Sequence, residues 1–315
     1  MRTFTTRLTP QSPFGTLLKG DTLFGQLCWA IHNRWGNERL SELLDGYTAG
    51  RPFVVLADAL PAGHWPRPNL PGHWFTPLAQ EDRKAAKRRM WLPHAHFATP
   101  VADWLHHCVA DDTLPGGAPQ PHPHPHNSID RRSNTTGDGF APYTLERHWY
   151  GKDAQLDLHL VLDQSRLSAA DLEQALRDIG ELGFGRDAGI GLGRFKVAPL
   201  EEAALPSQEG ANAWLTLAPC APQGLAWNAA RCFYQPFTRF GRHGDVGVHR
   251  GNPFKTPVLL ANSDAVLSPA VMNTPSFIGQ GLGGEGSLSK AIRDTVHQGY
   301  TPVLGIKLPK GGHKT

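Results

Sequence analysis

Residues 182–195 read LGFGRDAGIGLGRF, with glycine at 183, 185, 189, 191 and 193 and arginine at 186 and 194. So much glycine neither continues a helix nor holds a central strand, so the stretch is a joint, and its flanks decide what it joins. Upstream, SAADLEQALRDIGEL opens with Ser168 and Asp171 in an S-x-x-D capping pattern. It sets Leu172, Leu176 and Ile179 on one face, which predicts a helix. Downstream, RFKVAPL predicts a strand. A dinucleotide-binding turn runs the other way, from a strand into a helix whose free N–H groups face the pyrophosphate. The spacing here is also G-x-G-x-G, and no GK[ST] follows. No nucleotide cofactor is expected. What remains is a loop whose backbone can approach a ligand closely, with Arg186 and Arg194 suited to phosphates, or else a glycine turn with two solvated arginines.

The rest of the first 200 residues falls into place around that joint. RTFTTRL (2–8) predicts a strand. From LLKGDTLFGQLCWAIHNRWG comes a helix with Asp21 as cap, Leu23, Leu27, Ala30, Ile31 and Trp35 at helical spacing, and Gly36 as its end. Asn37 starts a second short helix. Residues 52–60, PFVVLADAL, predict a buried strand, and Leu156, Leu158, Leu160 and Leu162 mark another by their period of two. The order strand, helix, strand, insertion, strand, helix, strand is the βαββαβ of a ferredoxin-like, RRM-like module, so the fold class is α+β. The insertion spans about 61–150, and its PQPHPHPHN tract cannot form a helix or central strand. We expect that tract to be dispensable. Beyond about 204, AWLTLAP, AARCFYQPF, TPVLLAN and YTPVLGIKL predict a second, β-rich domain over 205–315, either a degenerate copy of the first or a β-rich cap.

Composition limits the partners. The formal net charge of +3 is too small for a polyanion sheath, so a nucleic acid would bind along a local stripe. Cys28, Cys108, Cys220 and Cys232 include no CxxC pair, and Cys28 fits a reduced core thiol. No metal site is expected. The start, MRTFTTRLTPQSPFG, lacks a signal-peptide apolar region, and no run of apolar residues is long enough to span a membrane. The expectation is a cytoplasmic protein.

Several blocks in order resemble one family. A glycine-rich loop between the second helix and last strand of a ferredoxin-like module resembles the RAMP proteins of CRISPR systems. LTPQSPFGTLLKGDTLFGQLCWAI is similar to the N-terminal signature of the Csm subunit-four family of type III-A effectors. PFVVLADALP, HNSIDRRSNTTG, FTRFGRHGDVG, TPVLLANSDAVL and VHQGYTPVLGIKLP resemble its later blocks. The chain departs from the family at Asn262-Ser263, in GQGLGGEGSLSKA (279–291) and in the HPHPH tract. The resemblance implies a non-catalytic subunit that grips the 5′ tag of crRNA. It also implies two protein partners, the large polymerase-like subunit and the first backbone RAMP subunit.

The candidate RNA contacts are Lys19, the Asp130–Arg131–Arg132 segment, Arg186, Gly189, Gly191, Gly193 and Arg194, and a basic cluster of Arg239, Arg242 and Arg250. Lys19 stands where a loop enters a helix, a place that can take a phosphate. Asp130, Arg131 and Arg132 read as a surface ion pair or, following the resemblance, as an RNA-facing loop. The basic cluster interleaves with Phe237 and Phe240, which suits single-strand stacking or a strand edge protected by charge. Nine tryptophans suggest exposed apolar surface for partners. None of the histidines His32, His94, His96, His148 and His249 falls in a recognisable catalytic arrangement. A metal-independent RAMP endoribonuclease and a purely architectural adaptor stand as alternatives.

Overall fold

The computed structural model describes residues 1–78, 83–136, 141–249, 251–273 and 275–309. In chain order, strand β1 (Arg2–Pro10) leads through a loop to helix α1 (Gly20–Leu44) and strand β2 (Val54–Pro61). The insertion contributes β3 (His64–Pro66), α2 (Arg83–Arg88), β4 (Arg89–Pro93), α3 (Trp104–His107), β5 (Val109–Ala110), β6 (Gln120–His126) and β7 (Tyr143–Trp149). Then follow β8 (Leu156–Leu162), α4 (Ala169–Leu182), β9 (Phe195–Val197) and β10 (Glu201–Glu202). The remainder is β-rich: β11 (Ala213–Thr216), β12 (Pro236–Arg239), β13 (Val258–Ala261), β14 (Val266–Leu267), β15 (Phe277–Gly283) and β16 (Val296–Ile306).

The main sheet runs β10–β1–β8–β2, with β9 continuing beside the far end of β1, and every pair is antiparallel. Its elements follow the expected order β1, α1, β2, β8, α4, β9. Leu23, Phe24, Leu27 and Ile31 of α1 and Leu172, Leu176 and Ile179 of α4 bury against Leu8, Val54, Leu158 and Leu160 of the sheet. Ser168 caps α4 as predicted, its Oγ accepting from Asp171 N at 3.1 Å. Gly36, at φ 87°, breaks α1 where the helix was expected to end, and the second short helix continues from it. The β2–β8 register slips between Leu56 and Ala59. This bulge turns Asp58 out of the strand's regular alternation toward the start of α1.

A second sheet, β14–β11–β16–β15, packs on the first. Gln298 of β16 docks it by a fork onto the bulged strand: Leu56 N donates to its Oε1 at 2.9 Å, and its Nε2 donates to Leu56 O at 2.8 Å. A second core joins the insertion to these C-terminal strands. Trp65, Trp74 and Trp104 pack with Leu215, Leu304 and Ile306. These tryptophans are therefore buried, contrary to the expectation that they furnish open partner surface, because strands far along the chain cover them.

The Pro/His tract is also ordered. It forms β6, paired with β7 from Gln120↔Trp149 to His126↔Tyr143. Pro121, Pro123 and Pro125 take alternate positions, so their missing N–H groups all lie on the edge away from β7. His122, His124 and His126 share one face of this ribbon with Arg147, Leu145 and Tyr143 opposite them. The tract thus satisfies the backbone of β7, and the expectation that it lies outside any periodic element is corrected.

Candidate nucleic-acid interface

The glycine loop starts where α4 stops and is stitched to the loop between β1 and α1. Gln11 N donates to Arg194 O at 2.8 Å, and Gly193 N donates to Pro13 O at 2.8 Å. Ser12 Oγ accepts from Arg194 N at 2.9 Å, and Thr16 Oγ1 accepts from Arg186 N at 3.1 Å. Phe14 and His148 exchange backbone hydrogen bonds of 2.9 and 2.8 Å, which brings in the β6–β7 ribbon. Three segments, 11–17, 183–194 and the ribbon, form one continuous surface.

The glycines within it divide by role. Gly193 has φ 75°, and a Cβ there would stand 2.1 Å from Phe184 O, so this glycine holds the loop's own fold. Nothing lies within 4 Å of a Cβ at Gly189 or Gly191, and Gly189 keeps an ordinary φ. The open tip at 189–191, with Ile190 exposed beside it, is the part that a ligand can approach.

The basic residues also divide. Arg186 donates to Glu146 O on β7, and Arg194 Nε donates at 3.0 Å to Glu181 O at the end of α4, where a cation meets the negative pole of a helix. Both keep guanidinium N–H groups toward solvent. Asp130 folds its own turn, its Oδ1 accepting from Arg132 N at 2.9 Å and its backbone N donating to Thr135 O at 3.0 Å. Arg131 and Arg132 extend into solvent beyond it, with no side-chain partner among the described residues. Arg242 is exposed and lies 5.8 Å from the ring centroid of exposed Phe254. Arg250 lies outside the described residues.

Lys19 and Arg239 instead point inward, where α1 begins. Lys19 Nζ donates to Asp58 Oδ2 at 2.7 Å, while Gly20 N donates to Asp58 Oδ1 at 2.8 Å. Ser263 Oγ donates to the same carboxylate. The place where a phosphate would meet this helix N-terminus is therefore filled by Asp58. Burial pulls the Lys19 ammonium down, but Asp58 outweighs it and holds it above its usual range. Arg239 stacks on Phe237 at 4.6 Å and forks onto buried Asp21 at 2.7 and 2.9 Å. His297 Nε2 lies 3.4 Å from the same carboxylate. Burial alone would raise Asp21, but His297 and Arg239 overcome that and hold it at about 2. Asp21 is thus the centre of a buried ion pair between α1 and β12, not the helix cap its position suggested; Lys19 is the cap residue. Next to this network, burial pushes Asp264 up to about 7, opposed by Lys19 and reinforced by Asp58. His243, also in the basic block, is buried with its Nε2 on Ser289 Oγ at 2.8 Å.

No protein-family model matches the chain, and no curated protein matches it. Solved structures do. One neighbour, from a crystal structure of a Csm1–Csm4 cassette in complex with pppApA, aligns over 98% of this chain and 100% of its own at 17% identity and a TM-score of 0.59. A second, from the cassette in complex with cA4, aligns over the same shares at 16% identity and a TM-score of 0.60. A third, from a Csm3–Csm4 subcomplex of the type III-A CRISPR–Cas interference complex, covers 93% of this chain and 98% of its own at 11% identity and a TM-score of 0.55. The chain has the Csm4 fold. On this Csm4 fold the glycine loop, the 11–17 loop and the ribbon are adjacent, whereas Lys19 and Arg239 serve the junction of the start of α1 with β2 and the C-terminal β-rich part.

The residues that build that junction, Asp58, Ser263 and Asp264, carry no sequence motif. The sole signal for Asp58 is an acid within the apolar strand PFVVLADAL. The structure also gathers His94, Asp157 and His159, with donor atoms within 4.8 Å of one another. Burial lowers His94, and it brings His159 down to about 4 against the pull of Asp157. Cys28, Cys108, Cys220 and Cys232 are free thiols, and burial pushes Cys28, Cys108 and Cys220 up to about 12. No helix among the described residues is long and apolar enough to cross a membrane.

Proposed function

We propose that this chain is the Csm4-type subunit of a type III-A CRISPR effector, a non-catalytic RAMP protein that binds the 5′ tag of crRNA. Its main sheet and two helices form the ferredoxin-like module, and the β-rich part from about 205 forms the second domain. The observation that carries the reading is the surface in which the open tip Gly189–Gly191 adjoins Arg186, Arg194 and the ribbon. Exposed backbone, guanidinium groups and the His/Tyr face of the ribbon together suit a single strand, phosphates on the cations and bases on the rings. Arg131 and Arg132, at the end of the ribbon, extend that surface. The exposed Phe240, Phe254 and Leu259 around Arg242 supply an apolar face for a partner. By analogy with the neighbours' complexes, the partners are a large Csm1-type subunit and a backbone Csm3-type subunit.

The test is binding of the purified chain to tagged crRNA over a salt series. Replacing Arg131 and Arg132 together by Ala should weaken binding and shallow the slope of log affinity against log salt by about 0.7 for each phosphate that is no longer neutralised. An unchanged affinity and slope would remove that loop from the site. The endoribonuclease reading has one foothold: His96 and His107 stack at 4.0 Å, and His107 lines a cleft with Arg88 and Asp112. The same incubation reads it. Site-specific cleavage of repeat RNA that disappears on His107→Ala would replace the binding role with a catalytic one.

A further inference from the structure

Alternation along β8 turns Asp157 and His159 to the face opposite Leu158 and Leu160, where the insertion covers them. His94 arrives from the insertion in the 3₁₀ turn His94–His96 that follows β4. Trp65 packs on both imidazoles, with ring centroids 4.1 Å from His94 and 4.6 Å from His159, and so fixes their planes. The Nε2 atoms of His94 and His159 are both buried, and neither has a hydrogen-bond partner among the described residues. His159 as a whole is only 7% exposed. Two orphaned ring nitrogens in one place are costly unless something accepts their lone pairs or protons. Asp157 stands with them. Its Oδ1 is engaged by Arg7 at 2.8–2.9 Å, and its Oδ2 accepts from Gly63 N at 2.7 Å, which leaves a second lone pair on Oδ2.

We propose that His94, Asp157 and His159 bind one divalent transition-metal cation of the zinc class, which fastens the insertion to the main sheet. Two imidazole nitrogens and one carboxylate oxygen suit Zn²⁺, Co²⁺ or Ni²⁺ and not the all-oxygen preferences of Ca²⁺ or Mg²⁺. The donor atoms lie within 4.8 Å of one another. Tetrahedral bonds of about 2.0–2.1 Å require donors about 3.3 Å apart, so the site closes by an ångström or so on binding. His94 supplies that movement, because it is half-buried and sits on a short turn, whereas His159 is fixed in a central strand. Arg7 opposes the cation and Asp157 offsets it, so affinity falls below that of a thiolate site. The fourth position is left for water.

The experiment uses the full chain, stripped with a chelator and titrated with Co²⁺ or Zn²⁺ alone. The expected result is one Co²⁺ per chain with the ligand-field absorption of a tetrahedral site, together with a rise in thermal midpoint on Zn²⁺ addition. His94→Ala and His159→Gln should each lose both signals. His94→Ala removes only a half-buried ring, and an unchanged far-UV spectrum confirms its fold. The ribbon histidines are the competing donors, so a His122→Ala/His124→Ala variant should keep the full signal. Absence of stoichiometric metal in the wild type, binding retained in His94→Ala, or binding abolished in the ribbon variant would each overturn the proposal.

Discussion

Replacing Asp264 by Asn should make the protein more stable at pH 8. The residue sits at φ 67°, a left-handed conformation that Asn tolerates as well as Asp does. Its backbone bonds, N to Thr216 O at 3.0 Å and O from Asn69 N at 2.9 Å, do not depend on the side chain. What changes is the charge. Burial raises the carboxyl from 3.8 to about 7, with Lys19 opposing and Asp58 adding to the rise. A folded pKa above the unfolded value means that the folded state holds the proton longer. Stability is then complete below about 4 and falls as pH rises through about 7. The full difference corresponds to about 4 kcal/mol at about 1.4 kcal/mol per tenfold change in proton affinity. Partial exposure of the side chain reduces this to roughly 2 kcal/mol. Urea denaturation of the wild type and Asp264→Asn at pH 5 and pH 8 reads the effect. The variant should gain about 2 kcal/mol at pH 8, and the gap should shrink toward pH 5. A gap that does not change with pH, or a variant less stable at pH 8, would refute the assignment of a buried, strained charge.

Asp21→Ala should cost about 3–5 kcal/mol by leaving Arg239 unpaired at the junction, and adding Arg239→Met should recover most of it, as chemical denaturation of the wild type and the two variants will show. Gly189→Val should leave the thermal midpoint unchanged while weakening binding to tagged RNA, whereas Gly193→Val should lose about 2 kcal/mol or more because a left-handed residue meets Phe184 O. Deleting 120–126 should expose β7, seen as reduced hydrogen-exchange protection over 143–149 while the main sheet stays protected.

The parts of this fold that were legible share one property: their apolar residues recur at a regular local period. The leucines of β8, the stripe of α4 and its Ser168 cap are local patterns, and the structure returns them where they were expected. The glycine loop was legible as a joint from its flanks. That Gly193 is internal and Gly189 open was not, since the difference lies in the position of Phe184 across the loop. Asp21 read as a cap because an acid at the start of a helix has that meaning in isolation, and its partner Arg239 is set only by tertiary packing. The bulge at Asp58 depends on the register of the neighbouring strand, and His94 and His159 meet only because the insertion folds back over β8. A basic cluster in sequence says nothing about which arginine turns inward, and here Arg239 does while Arg242 does not.

The second core has a consequence for how the protein is made. Trp65 leaves the ribosome about 240 residues before Ile306, the strand residue that shares its core. At about 5–20 residues per second, the insertion waits roughly 10–50 s with its tryptophans uncovered. During that interval the nascent chain presents to chaperones a sticky, half-built surface that only the final strand closes. A prematurely terminated product would retain that surface permanently, so intact C-terminal synthesis guards against aggregation in this protein as much as it completes the fold.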